Sequence, residues 1–292
     1  MSGLNIKTVY LAGYLLLLLA ACSSEERLNT GEGEEHLLEI GASISEPVVS
    51  RALGAVNYEK SSFVENDIIK IGTSADNLSA GGTSYTYTNK SGTLRWLPTD
   101  DVDGITTNGT GNYYASYDPV GYTGILADQS KVNAYQQSNR LITAATVVSG
   151  NKVNFSFYPA ASKITVTVEY NDDKHVGVSV QLVGNSLYGA STSDPVTLYP
   201  VTSTGKKHVY VAIVYPGSNK EYRIEVTSKA TVDGEEVTIT YPKETAESRD
   251  LQAGHNYTYN FTSTFGLILN SVSVEGFQPG TGNGTDNNWG AS

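Results

Sequence analysis

Apolar and polar residues alternate through much of the second half of this chain. In ITVTVEY, Ile164, Val166, Val168 and Tyr170 fall on one side and Thr165, Thr167 and Glu169 on the other. That period of two is the mark of a half-buried strand. HVYVAIVYP places Val209, Val211, Ile213 and Tyr215 on one face and ends at Pro216-Gly217. EYRIEVTS (Tyr222, Ile224, Val226), EVTITYP (Val237, Ile239, Tyr241) and NYTYNFT (Tyr257, Tyr259, Phe261) repeat the pattern. Asp233-Gly234, between the first two of these three, is a hairpin signal. Roughly seven strands are predicted from Ile164 to Val274, with turns about every ten residues, the spacing of a β-sandwich.

The first half is looser. HLLEIGASI, DIIKIG, SYTYTN, TLRWLP, NYYASY and KVNFSFY read as strands, separated by loops rich in Gly, Asn and Thr. Residues 125–148 have room for a helical turn before LITAATVV. The length beyond the N-terminal apolar run exceeds the usual single-domain size, so two domains are expected, one over 37–158 and one over 159–292. The fold class expected is all-β.

Val9 to Ala21 is almost wholly apolar, with Lys7 ahead of it and the one cysteine, Cys22, directly after it. Such a run is too short for a membrane span of ~20 residues and reads as a secretory signal over 1–21. A lone cysteine forms no internal disulfide. Leu19-Ala20-Ala21-Cys22 resembles a bacterial lipobox, which implies lipidation of Cys22, a membrane partner through the lipid anchor, and a solvated tether over 22–36. The formal net charge is −11 and no basic residues cluster, which argues against a nucleic-acid partner. The 20 tyrosines are typical of strands.

Catalytic motifs are not evident. His36, His175, His208 and His255 are scattered, with no pair at metal-ligand spacing. Gly184-Asn185-Ser186-Leu187-Tyr188 lacks the closing glycine of a nucleophile elbow, and no phosphate-binding loop is present. Asp100, Asp101 and Asp103 ahead of Gly104 are a candidate calcium cluster, but the twelfth-position glutamate of an EF-hand loop is missing. Pairs such as Glu235-Glu236 suit glycoside hydrolysis only in the sense that any acidic protein offers carboxylates. No enzyme activity, cofactor or metal is expected. Tyrosines and Trp96 offer a second reading, a non-polymerising surface lipoprotein that binds glycans by ring stacking.

Several stretches in order resemble the fimbrillin family of Bacteroidota, the Mfa-like fimbrial lipoproteins of type V pili. They are the lipobox at Cys22; VVSRALGAV with Arg51, then SSFVENDIIKIG; VNFSFYPAASKITVTVEY; VYVAIVYPGS; and DLQAGHNYTYNFT followed by LILNSVSVEGF. Phe277 stands where the family often has tryptophan. The resemblance implies two transthyretin-like Greek-key β-sandwich domains in tandem and export to the outer membrane and cell surface. It further implies assembly with other fimbrial subunits into a fimbrium and adhesion to a host protein or glycan. It implies that a protease cuts after Arg51 and removes a first strand within Leu37 to Ser50, which includes Leu38, Ile40 and Ile44. A donor strand over 267–277 of another subunit, with Leu267, Leu269, Val272 and Val274 as plugs, then fills the opening.

Overall fold

The computed structural model describes residues 35–45, 58–99, 103–172, 174–230, 236–242, 246–263 and 267–276. Cys22, Arg51, Asp100, Asp101, Asp233, Gly234 and Phe277 lie outside them. Among the described residues the regular secondary structure is almost all strand.

The N-terminal strands are β1 (His36–Leu37), β2 (Glu39–Ile44), β3 (Ile68–Gly72), β4 (Thr83–Lys90) and β5 (Thr93–Pro98). They continue with β6 (Thr106–Thr107), β7 (Asn112–Tyr117), β8 (Leu141–Ile142), β9 (Thr146–Val147) and β10 (Lys152–Pro159). One sheet runs β2-β10-β8-β7-β3-β4-β5, with β9 pairing β7, while β1 and β6 form a separate ribbon. The sheet curls until β2 approaches β5. Its concave side holds a core that includes Leu38, Ile69, Ile71, Tyr85, Trp96, Phe155 and Phe157. Alternation makes this possible: in β10, Val153, Phe155 and Phe157 are buried while Asn154 is exposed.

The C-terminal strands are β11 (Ser162–Tyr170), β12 (His175–Gly184), β13 (Val196–Thr197), β14 (Tyr199–Thr204) and β15 (Lys207–Val214). The rest are β16 (Gly217–Ala230), β17 (Glu236–Tyr241), β18 (Glu247–Leu251), β19 (His255–Ser263) and β20 (Leu267–Gly276). Two sheets face each other, one ordered β14-β15-β11-β19-β20 and the other β13-β12-β16-β17 with β18 on β16. Ile164, Val166, Val168, Tyr257, Tyr259 and Phe261 enter the core between them, together with Val180, Leu182, Ile224 and Val226 from the opposite sheet. This is an all-β sandwich. From His36 onward the described residues belong to one compact unit.

The alternation of β15 has a different meaning from the one its sequence suggests. Tyr210, Ala212 and Val214 face the sandwich core. Val211 and Ile213, the face read as apolar, instead pack with Tyr58, Tyr135 and Ala161 on the outer side of the sheet. That outer face is covered by the segment before β8, which contains helix α1 (Val132–Ser138) within the predicted helical window. A strand buried on both faces reads as a continuous apolar run.

Two polar clamps hold this cover. The buried Gln129 amide donates to Ile213 O (2.7 Å) and accepts from Ile213 N (2.8 Å), so it pairs with β15 like a short piece of strand. Glu59 forms an ion pair with Lys163 of β11, whose side chains are 15% and 3% exposed. Glu59 also accepts from Tyr135 Oη (3.0 Å). Burial, with Glu59 alongside, raises both the Tyr58 and Tyr135 phenols well above their ordinary range, so both remain protonated.

Candidate functional site

β2 is built from alternation on small residues. Leu38 and Ile44 are buried in the N-terminal core, and Ile40 and Ala42 pack against it half-buried. The opposite face carries Glu39, Gly41 and Ser43. β2 lies parallel to β10, with Glu39 opposite Lys152 and Ile44 opposite Phe157, and β10 is its one strand partner among the described residues. A Cβ at Gly41 would stand 2.2 Å from Asn154 Oδ1, so a larger residue there would push the exposed Asn154 side chain into another rotamer. Ser45 N donates to Phe157 O (2.7 Å), and Ser45 Oγ lies 3.0 Å from Ser156 Oγ at the strand's end. In sequence, residues 46–57 with Arg51 stand between this end and Tyr58, where the chain is anchored by the Glu59–Lys163 pair.

The candidate donor segment is β20, the last strand of the β14-β15-β11-β19-β20 sheet. It runs antiparallel to β19 with Leu267 opposite Ser263, Leu269 opposite Phe261, Val272 opposite Tyr259 and Val274 opposite Tyr257. A bulge between Asn260 and Phe261 shifts the phase, which is why Leu269 and Val272 share a face despite odd spacing. Leu269 and Val272 pack against the core, whereas Val274 is 53% exposed. Here β20 completes its own sheet. The first strand and the donor candidate thus occupy edges of two different sheets, and the structure does not bring them together.

The structure removes Trp96 from the ring-stacking reading. It is buried in the N-terminal core, with Phe63 edge-on at 5.1 Å and Tyr87 tilted at 4.8 Å, so its faces are occupied by protein. Asp103 is exposed. Among the described residues no three His, Cys, Asp or Glu side chains group so that they would hold a metal ion.

Sequence spacing did not reveal one cluster. Tyr170 stacks on His175 at 4.0 Å and meets His208 edge-on at 5.5 Å. His208 is buried, with Nδ1 3.1 Å from Ser203 Oγ. Burial lowers the His208 pKa below its ordinary 6.5; a bond with the Gly205 backbone opposes this and the neighbouring His175 adds to it. The unfolded chain therefore takes up a proton that the folded chain resists. The part of the stability linked to His208 is fully present above about pH 6.5 and is lost progressively as pH falls below it. Urea titrations from pH 7.5 to 5 are expected to show this loss, and His208→Gln is expected to flatten that part of the slope. An unchanged slope would remove His208 as its source.

No protein-family model matches the chain, and no curated protein matches it. Solved structures do. One is a "putative cell adhesion protein" from Bacteroides ovatus, at TM-score 0.53 and 18% identity over 84% of this chain and 99% of that one. Another, of the same description, is from Bacteroides uniformis, at TM-score 0.52 and 16% identity over 84% of this chain and 98% of that one. At such identities the likeness establishes a shared all-β fold. Neither protein is described as an enzyme.

Proposed function

We propose that the chain is a structural and adhesive fimbrial subunit, exported as a lipoprotein through Cys22 and displayed at the bacterial outer surface. Cleavage after Arg51 releases β2, and the strand Leu267 to Phe277 of another copy takes its place. The observation that carries this reading is β2 itself. It is an edge strand whose Ile44, with Leu38 directly before the strand, completes a core, and in sequence it leads into the segment holding Arg51. Removing it uncovers apolar pockets and the unpaired backbone of β10, which an incoming strand satisfies. Donor and acceptor edges differ, so the contact is head-to-tail and propagates. The likeness to Bacteroides proteins described as cell adhesion proteins supports an adhesive role.

The test is the N-terminus and mass of the mature protein from outer membranes and from sheared surface fibres. Fibre subunits beginning at Ala52 support the reading, and an acylated Cys22 as the only form in fibres overturns the cleavage step. A second expectation concerns the donor. Leu267→Asp with Leu269→Asp is expected to abolish fibres in electron micrographs while secreted protein is still detected, at lowered stability because Leu269 also packs against its own sandwich core. Normal fibres from that variant would assign the donor role to another segment.

A further inference from the structure

A groove of about 510 Å³ lies beside the clamp, outside β2 and β20. Its size is within the usual range of about 300–1,000 Å³ for small-ligand sites. One wall is α1 and the residue after its last turn, which present Asn133, Gln136, Gln137 and Asn139. Facing them are Ser61 and Ser62, with Val64 and Val120 at 57% and 89% exposure also lining it. Gln136 is held by a bond from Nε2 to Tyr58 O (3.2 Å). Gly121, at φ 77°, turns the chain so closely past Gln137 that a Cβ there would sit 2.9 Å from Nε2.

The charges in the groove are already used. Glu59 pairs with Lys163, and Lys60 pairs with Asp67 at 2.7 Å. What remains is a bowl of uncharged groups that both donate and accept hydrogen bonds. Such a set matches neither an anion nor a cation. It also suits a peptide poorly. Apart from Tyr117 at the end of β7, the lining comes from irregular chain and helix, so no strand edge is available to a peptide backbone. Hydroxyls on a ring have the complementary donor-and-acceptor character, and their C–H faces suit Val64 and Val120.

We propose that this groove binds a neutral saccharide of one or two rings. It is independent of strand exchange. The test is saturation-transfer NMR on the purified full chain with methyl β-galactoside, methyl α-mannoside, N-acetylglucosamine and lactose, and with sialyllactose and acetyl-Ala-Val-Val-amide as comparisons. At least one neutral sugar is expected to bind. Asn133→Ala with Gln137→Ala is expected to weaken it about tenfold, the effect of losing one or two neutral hydrogen bonds. Asn133 is exposed and Gln137 half-buried, so the thermal midpoint is expected to change little. The proposal is overturned if no neutral sugar binds, if binding survives the double substitution intact, or if only the charged sugar or the peptide binds.

Discussion

Lys163→Ala is expected to destabilise the protein by about 3–5 kcal/mol, the usual cost of leaving one member of a buried ion pair without its partner. The loss has three parts. Glu59, only 15% exposed, keeps its carboxylate with no cation. Tyr58 loses both a donor to its hydroxyl (3.4 Å) and a cation 5.2 Å from its ring centroid. The chain at Tyr58–Glu59 loses its attachment to β11. Equilibrium urea unfolding of the single variant measures the sum. The double variant Glu59→Gln with Lys163→Met is expected to recover most of it, because it removes both charges while Tyr135 keeps an acceptor. A double variant as unstable as the single one would show that packing around Lys163, not its charge, holds the segment.

That clamp shows where sequence reading reached its limit. β11 was legible because Ile164, Val166, Val168 and Tyr170 alternate with Thr165, Thr167 and Glu169, and burial follows this on the core side. What alternation does not report is whether the other face is covered. No role for Lys163 is read from the sequence, and its partner lies 104 positions away. The same blindness inverted β15, where Val211 and Ile213 look like core residues but pack in the outer cluster. Trp96 follows the same logic in reverse. Aromatic character alone suggested a stacking platform, and neighbours distant in sequence, such as Phe63 and Phe157, close its surroundings into core. Local patterns revealed the strands. Pairings over long separations decide which faces are free, and with them the candidate site.

The largest effect is expected from removing β2. Burying a Leu or Ile side chain contributes about 1.5–3 kcal/mol. Leu38 and Ile44 are 6% and 7% exposed, and Ile40 and Ala42 add part of their surface. A chain beginning at Ala52 is therefore expected to lose on the order of 5 kcal/mol, a large share of the ~5–15 kcal/mol typical of a folded protein. The loss is local, because the core of the β11–β20 sandwich draws on no β2 residue. On the proposed reading the opened edge of β10 then recruits β20 of a second copy, so the truncated chain self-associates into a concentration-dependent ladder by sedimentation velocity. A peptide copying residues 36–45 in excess is expected to restore both the monomer and the lost stability, since it supplies the same side chains and the same parallel register. Leu267→Asp with Leu269→Asp in the truncated chain is expected to stop the ladder without restoring stability, which separates an empty acceptor from a disabled donor. A truncated chain that stays monomeric and unfolds at the full-length midpoint would mean that β2 is not the element whose removal drives assembly.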